Sequence, residues 1–119
     1  MTLWLVRNAR TGHVLARRVR RADNPLARTI GFLTRAAIAP DEGIWFDRCA
    51  AVHTLGMRSA LDIIFLDADR RIVSIQPNVT PGKLHVGAPG AHITLEFGPG
   101  FAAANEIAIG DQLQLVSAP

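Results

Sequence analysis

The sequence predicts a mainly β fold, a compact antiparallel β-sandwich or barrel of six to seven short strands with one packed α-helix. Three observations lead there. Apolar residues recur in short runs, several of them alternating with polar residues, and Gly, Pro, Asn and Asp clusters separate the runs. Only one stretch, after Asn24-Pro25, carries helical spacing. Strand and helix units do not alternate, so nothing calls for a parallel sheet built from crossovers.

Leu3 to Val6 and His13 to Ala16 flank the Gly-bearing segment Asn8 to Gly12, which reads as a hairpin. Asn24 as N-cap and Pro25 at the first helical position announce a helix over Pro25 to Thr34. Leu26, Ile30 and Leu33 make its buried stripe. Ala39-Pro40 ends that segment. Ile44-Trp45-Phe46 is a strand whose aromatic side chains enter the core.

Leu61 to Leu66 is apolar throughout except for Asp62, the pattern of an interior strand covered on both faces. Asp67 to Arg70 is turn material, and Ile72, Val73 and Ile75 resume the strand pattern as a second hairpin. Pro77, Pro81 and Pro89 with Gly82, Gly87 and Gly90 predict a long surface loop over much of 77 to 90. Ile93, Leu95 and Phe97 then share one face of a strand, with Thr94 and Glu96 on the other. Gly98-Pro99-Gly100 breaks it, Phe101 to Asn105 suits a helical turn, and Leu113 and Leu115 close the chain on a strand. The expected core is Ile30, Leu33, Trp45, Phe46, Ile63, Phe65, Ile75, Ile93, Leu95 and Leu113.

A chain of 119 residues, nearly half apolar and 19% charged, fits one globular domain over 1–119. One cysteine forms no internal disulfide, and the N-terminus is too short in apolar residues for a signal peptide or a membrane span, so a cytoplasmic address is expected. The net charge is +3, and Arg17, Arg18, Arg20 and Arg21 cluster within five positions. Nucleic-acid binding is nevertheless disfavoured, because no aromatic residues interleave with the arginines and no recognition helix is visible.

Several stretches resemble one family in their joint order. They are Gly31-Phe32-Leu33-x-Arg35, Asp41 to Phe46, Gly56-Met57-Arg58, Leu61 to Asp67, Ile72-Val73, Gly90-Ala91, Leu95-Glu96-x-x-x-Gly100 and Gly110-Asp111. The family is the domain of unknown function 192. Cys49, Val52, His53, Thr54, Gly56, Met57 and Arg58 resemble its sub-group with a Cys-x-x-Val-His-Thr-x-Gly-Met-Arg pattern, in place of the aromatic residue and longer turn of other members. The resemblance implies a compact mainly β domain and no established activity.

Two functional classes compete. A carboxylate at Asp62 inside an apolar strand needs a partner, and Arg58 across the turn is the expected one. On the structural reading Asp62 pins the 56–60 loop. On the functional reading Asp62 anchors the bottom of a small cleft where Arg58 and His53 bind an anionic group, and His53, Arg58, Asp62 and Glu96 converge to hold the ligand. This favours a non-catalytic binding or accessory module for a small ligand or a protein partner, without cofactor.

The alternatives use Cys49. A thiol enzyme would take His53 as base, but no helix start or orienting group activates the thiol. Zinc lacks a second close ligand pair. Copper would use Cys49, His53 and Met57 with one of His13, His85 or His92. Residues four apart on an extended strand lie about 13 Å from one another, so that site requires Cys49 to Met57 to fold back.

Overall fold

The computed structural model describes residues 2–22, 32 and 35–117. Among these the chain forms nine strands and one short helix: β1 (Trp4–Asn8), β2 (Val14–Ala22), β3 (Glu42–Phe46), β4 (Ala51–Val52), β5 (Leu61–Leu66), β6 (Ile72–Val79), β7 (Val86–Gly87), β8 (Ile93–Phe97), α1 (Phe101–Ala104) and β9 (Leu113–Ser117). The expected helix Pro25 to Thr34, with Ile30 and Leu33, lies outside the described residues.

Seven strands make one sheet in the order β6-β5-β8-β3-β2-β1-β9, and β4 pairs with β7 in a small second sheet. All neighbours in the large sheet are antiparallel except β2 and β3, which run parallel from Arg18↔Glu42 to Ala22↔Phe46. The sheet is therefore mixed. A parallel pair requires a crossover, and the local patterns of two strands carry no information on how the chain between them returns.

The two edge strands meet at one end. An isolated bridge joins Arg71 to Gln112, the Ile72 amide donates to the Asp111 carbonyl at 2.8 Å, and the Leu113 amide donates to the Arg70 carbonyl at 2.9 Å. The sheet thus rolls into a barrel closed at that corner.

Strand alternation then sorts the side chains into two cores. Val6, Val19, Trp45, Ile64, Leu66, Leu95, Phe97 and Leu113 fill the barrel. Ile44, Phe46, Leu61, Ile63, Phe65, Cys49, Val86 and Phe32 form a second cluster on the outer face of β3, β8 and β5, beneath the β4–β7 layer. That is why Leu61–Leu66 is buried at every position. Each fully buried large apolar side chain contributes about 1.5–3 kcal/mol, enough for the strand to carry one buried carboxylate if its oxygens are bonded.

Two features of β6 and β8 depart from the local reading. β6 runs on through Pro77 to Val79, which a proline permits because β6 is an edge strand. Ile75 is only partly buried for the same reason. Thr94 and Glu96 lie on the opposite face from Leu95, as alternation requires, yet both are buried because the outer face is covered.

Candidate functional site

Asp62 shares the inward face of β5 with Ile64 and Leu66 and is completely buried. Its carboxylate accepts three backbone hydrogen bonds: from the Asn78 amide at 3.0 Å, from Gly100 at 3.3 Å and from Ala102 at 2.9 Å. Arg58 is not among these partners and is exposed. The expected Arg58–Asp62 pair is thereby corrected. Asp62 ties β5 to the end of β6 and to the first turn of α1, not to the 56–60 loop, because its side chain points into the barrel.

Thr54 does the work expected of Asp62 in the loops. It is fully buried, its hydroxyl donates to the Thr80 carbonyl at 2.8 Å and accepts the Lys83 amide at 2.9 Å, and its amide donates to the Lys83 carbonyl at 2.9 Å. The pairs Ala51↔Gly87 and Val52↔Val86, followed by the Thr54 amide donating to the Lys83 carbonyl, join two loop segments. Segments 48–61 and 79–92 therefore form one layer. Neither contains an Asp or Glu, while together they carry Arg48, His53, Arg58, Lys83, His85 and His92.

On the edge of this layer lies a depression of about 460 Å³, walled by Gln76, Asn78, Thr80, Lys83 and His85, and no carboxylate lines it. The Gln76 side-chain amide is held by the Gly87 carbonyl at 3.2 Å. Asn78 adopts a left-handed backbone (φ 51°), which Asn tolerates better than most residues, and the Asp62 carboxylate holds its amide. Lys83 makes no ion pair among the described residues. The arrangement offers an ammonium, an imidazole and amide and hydroxyl dipoles to an anionic group.

The four sequence-predicted site residues do not share one cleft. His53 and Arg58 are exposed on the loop layer, Asp62 lies inside the barrel, and Glu96 lies outside it, between Ile44 and Ile63 of the neighbouring strands. Burial pushes the Glu96 carboxyl up to about 7, and the charge of Arg20 pulls against that rise.

Cys49 is buried and its thiol donates to the Ala51 carbonyl at 3.2 Å. The His53 Nδ1 accepts the Leu55 amide at 3.2 Å. Met57 packs against the same outer cluster as Cys49, while His53 is turned to solvent. Among the described residues no three His, Cys, Asp or Glu side chains converge. Within the arginine row, Arg18 forms a two-point pair with Asp41 and Arg21 with Asp47. No described helix is long and apolar enough to cross a membrane.

The sequence does not single out Lys83, and offers His85 only as a copper ligand, because both sit in a proline-rich loop with no periodic pattern. The run of residues 70 to 95 without a carboxylate was the available signal.

The model of the family DUF192, described as uncharacterized ACR, matches residues 6–115. Among solved structures, a protein of unknown function from Novosphingobium aromaticivorans is 29% identical, covers 93% of this chain and 82% of its own, and superposes with a TM-score of 0.80. A protein from Sinorhizobium meliloti described as a candidate transcription regulator is 25% identical, covers 96% of this chain and 92% of its own, and has a TM-score of 0.81. No curated protein matches the chain.

Proposed function

The chain belongs to the DUF192 family, and from that premise and the geometry of its loop layer we propose a binding module without chemistry of its own, which holds an anionic group of a small ligand or partner protein. The observation that carries this reading is the depression walled by Gln76, Asn78, Thr80, Lys83 and His85, in a layer without carboxylates. His53 and Arg58 are exposed on the same layer. Asp62 acts beneath it as an anchor, fixing the Asn78 backbone through one of its oxygens.

A catalytic reading is weaker. Thr80 and Lys83 at the depression have no carboxylate beside them to act as a base, and the one cysteine spends its S–H on a backbone carbonyl below the surface. A second reading, nucleic-acid binding, comes from the description of the Sinorhizobium meliloti protein. It is disfavoured for this chain because Arg18 and Arg21 are paired with carboxylates and α1 is a single turn.

Thermal shift with phosphate, di- and tricarboxylates and phosphorylated metabolites tests the proposal. A ligand at one hundred times its Kd adds about 2.7 kcal/mol and raises the Tm by roughly 10 °C in a domain of this size. Lys83→Ala and His85→Ala, both exposed, should keep the Tm of the free protein and lose most of that shift. A stabilising anion whose effect survives both changes, or an oligonucleotide that binds tightly in their place, would sink the reading.

A further inference from the structure

The open mouth of the barrel differs from the loop depression in having apolar and aromatic walls. Here a cavity of about 520 Å³ is bounded by Trp4, Arg21, Asp47, Arg48, His92 and Ile93. Ile93 belongs to the barrel core and Trp4 packs against that core, so the cavity has an apolar floor and an aromatic wall. Its size falls within the range of about 300–1,000 Å³ usual for small-molecule sites, which favour barrel mouths.

The polar groups around it are held in place before any ligand arrives. Asp47 accepts from Arg21 at 2.7 and 3.1 Å and from the Trp45 indole N–H at 3.2 Å. The Arg21 guanidinium lies 5.1 Å from the Trp4 ring centre, and that of Arg70 lies 5.2 Å from the Trp45 ring centre. His92 is fixed through its backbone, its amide donating to the Leu66 carbonyl at 2.8 Å and its carbonyl accepting the Cys49 amide at 2.9 Å.

Arg48 stands on the rim in a left-handed backbone conformation (φ 47°). For a long, charged residue without a local side-chain bond this conformation is uncommon and costs on the order of 1 kcal/mol, and such strain concentrates at ligand clamps. Arg48 makes no ion pair among the described residues, whereas Asp47 already balances Arg21. The surplus charge at the cavity is therefore positive.

We infer that the barrel mouth is a second ligand site, taking a flat aromatic or heteroaromatic compound that carries an anionic group. The ring lies against the Trp4 wall and the Ile93 floor, where an apolar face gains most. The anion meets the Arg48 guanidinium at the rim, with His92 beside it. The inference does not depend on the loop depression, which shares none of these residues.

Trp4 lines the cavity and the one other tryptophan, Trp45, donates to Asp47 beside it, so tryptophan emission excited at about 295 nm reports on this site. Adenosine 5′-monophosphate and benzoate supply the shared chemistry from two sources, a nucleotide and an aromatic acid. Adenosine and ribose 5-phosphate each lack one half of it. At least one of the first pair should change the emission saturably, with a Kd below about 1 mM and about tenfold or more tighter than either control. Arg48→Gly suits the left-handed backbone, so it should keep or raise the Tm while weakening that binding about tenfold or more, the loss of one charged hydrogen bond. Lys83→Ala should leave it unchanged. Absence of saturable binding by both probes, undiminished binding in Arg48→Gly, or loss in Lys83→Ala instead would each overturn the inference.

Discussion

The Ala102 amide donates to the Asp62 carboxylate at 2.9 Å across forty residues of sequence, inside the barrel. With the Asn78 and Gly100 amides it completes a buried carboxylate held wholly by backbone. Removing it strands donors that have no water to turn to, at about 1–3 kcal/mol each. Asp62→Ala should therefore cost about 3 kcal/mol or more in urea unfolding. Asp62→Asn keeps the shape but turns one acceptor into a donor facing an amide, and should cost nearly as much. Arg58→Ala should cost well under half of either, which an Arg58–Asp62 pair would contradict.

Glu96 gives the stability a pH dependence of definite sign. Its folded-state pKa, pushed up to about 7 by burial between Ile44 and Ile63, exceeds its ordinary value of 4.5. The folded protein thus holds a proton the unfolded chain has released, and stability falls as pH rises from about 4.5 through about 7. Glu96→Gln removes that loss. Calorimetry near pH 8 should find the variant more stable than the wild type by on the order of 2–3 kcal/mol, with the difference shrinking near pH 5. An unchanged difference across that span would refute the assignment.

Gly43 is required by packing. A Cβ there would overlap the Phe97 ring, which lies stacked on Phe101 with centroids 3.7 Å apart and planes 4° from parallel. Since Phe97 is walled in by the barrel core, it cannot swing aside cheaply. Gly43→Ala should destabilise by about 1–3 kcal/mol, the range for overpacking, with a shift in near-ultraviolet circular dichroism. A neutral effect would mean that the β3–β8 spacing yields.

Cys49 should behave as a buried structural thiol. In the native protein it should react with a thiol reagent far more slowly than after unfolding. Added Cu(II) should give no intense thiolate-to-copper band, because Cys49 faces the outer cluster while His53 faces solvent. Such a band, lost in Cys49→Ser, would restore the copper reading.

Much of this molecule was legible in local pattern. The residues of Leu61–Leu66 announce burial on both faces, and Trp45, Phe46, Ile63, Phe65, Ile93, Leu95 and Leu113 are core residues as their spacing predicts. Alternation also places Leu95 and Glu96 on opposite faces. These properties follow from the two-residue period of a strand, which each segment carries by itself.

Tertiary structure alone decided which partners those faces meet. The parallel β2–β3 pair, the contact of Arg71 with Gln112 that closes the barrel, and the bonds from Asp62 to Asn78, Gly100 and Ala102 all join residues distant in sequence. A sequence shows that Asp62 needs hydrogen-bond donors, but any nearby donor satisfies that requirement equally well. Arg58 lies four residues away along the chain; the amides of Asn78, Gly100 and Ala102 become nearer only when β5 is paired with β6 on one side and β8 on the other. The loop layer is the same case, since Thr54 joins Lys83 through register and not through spacing.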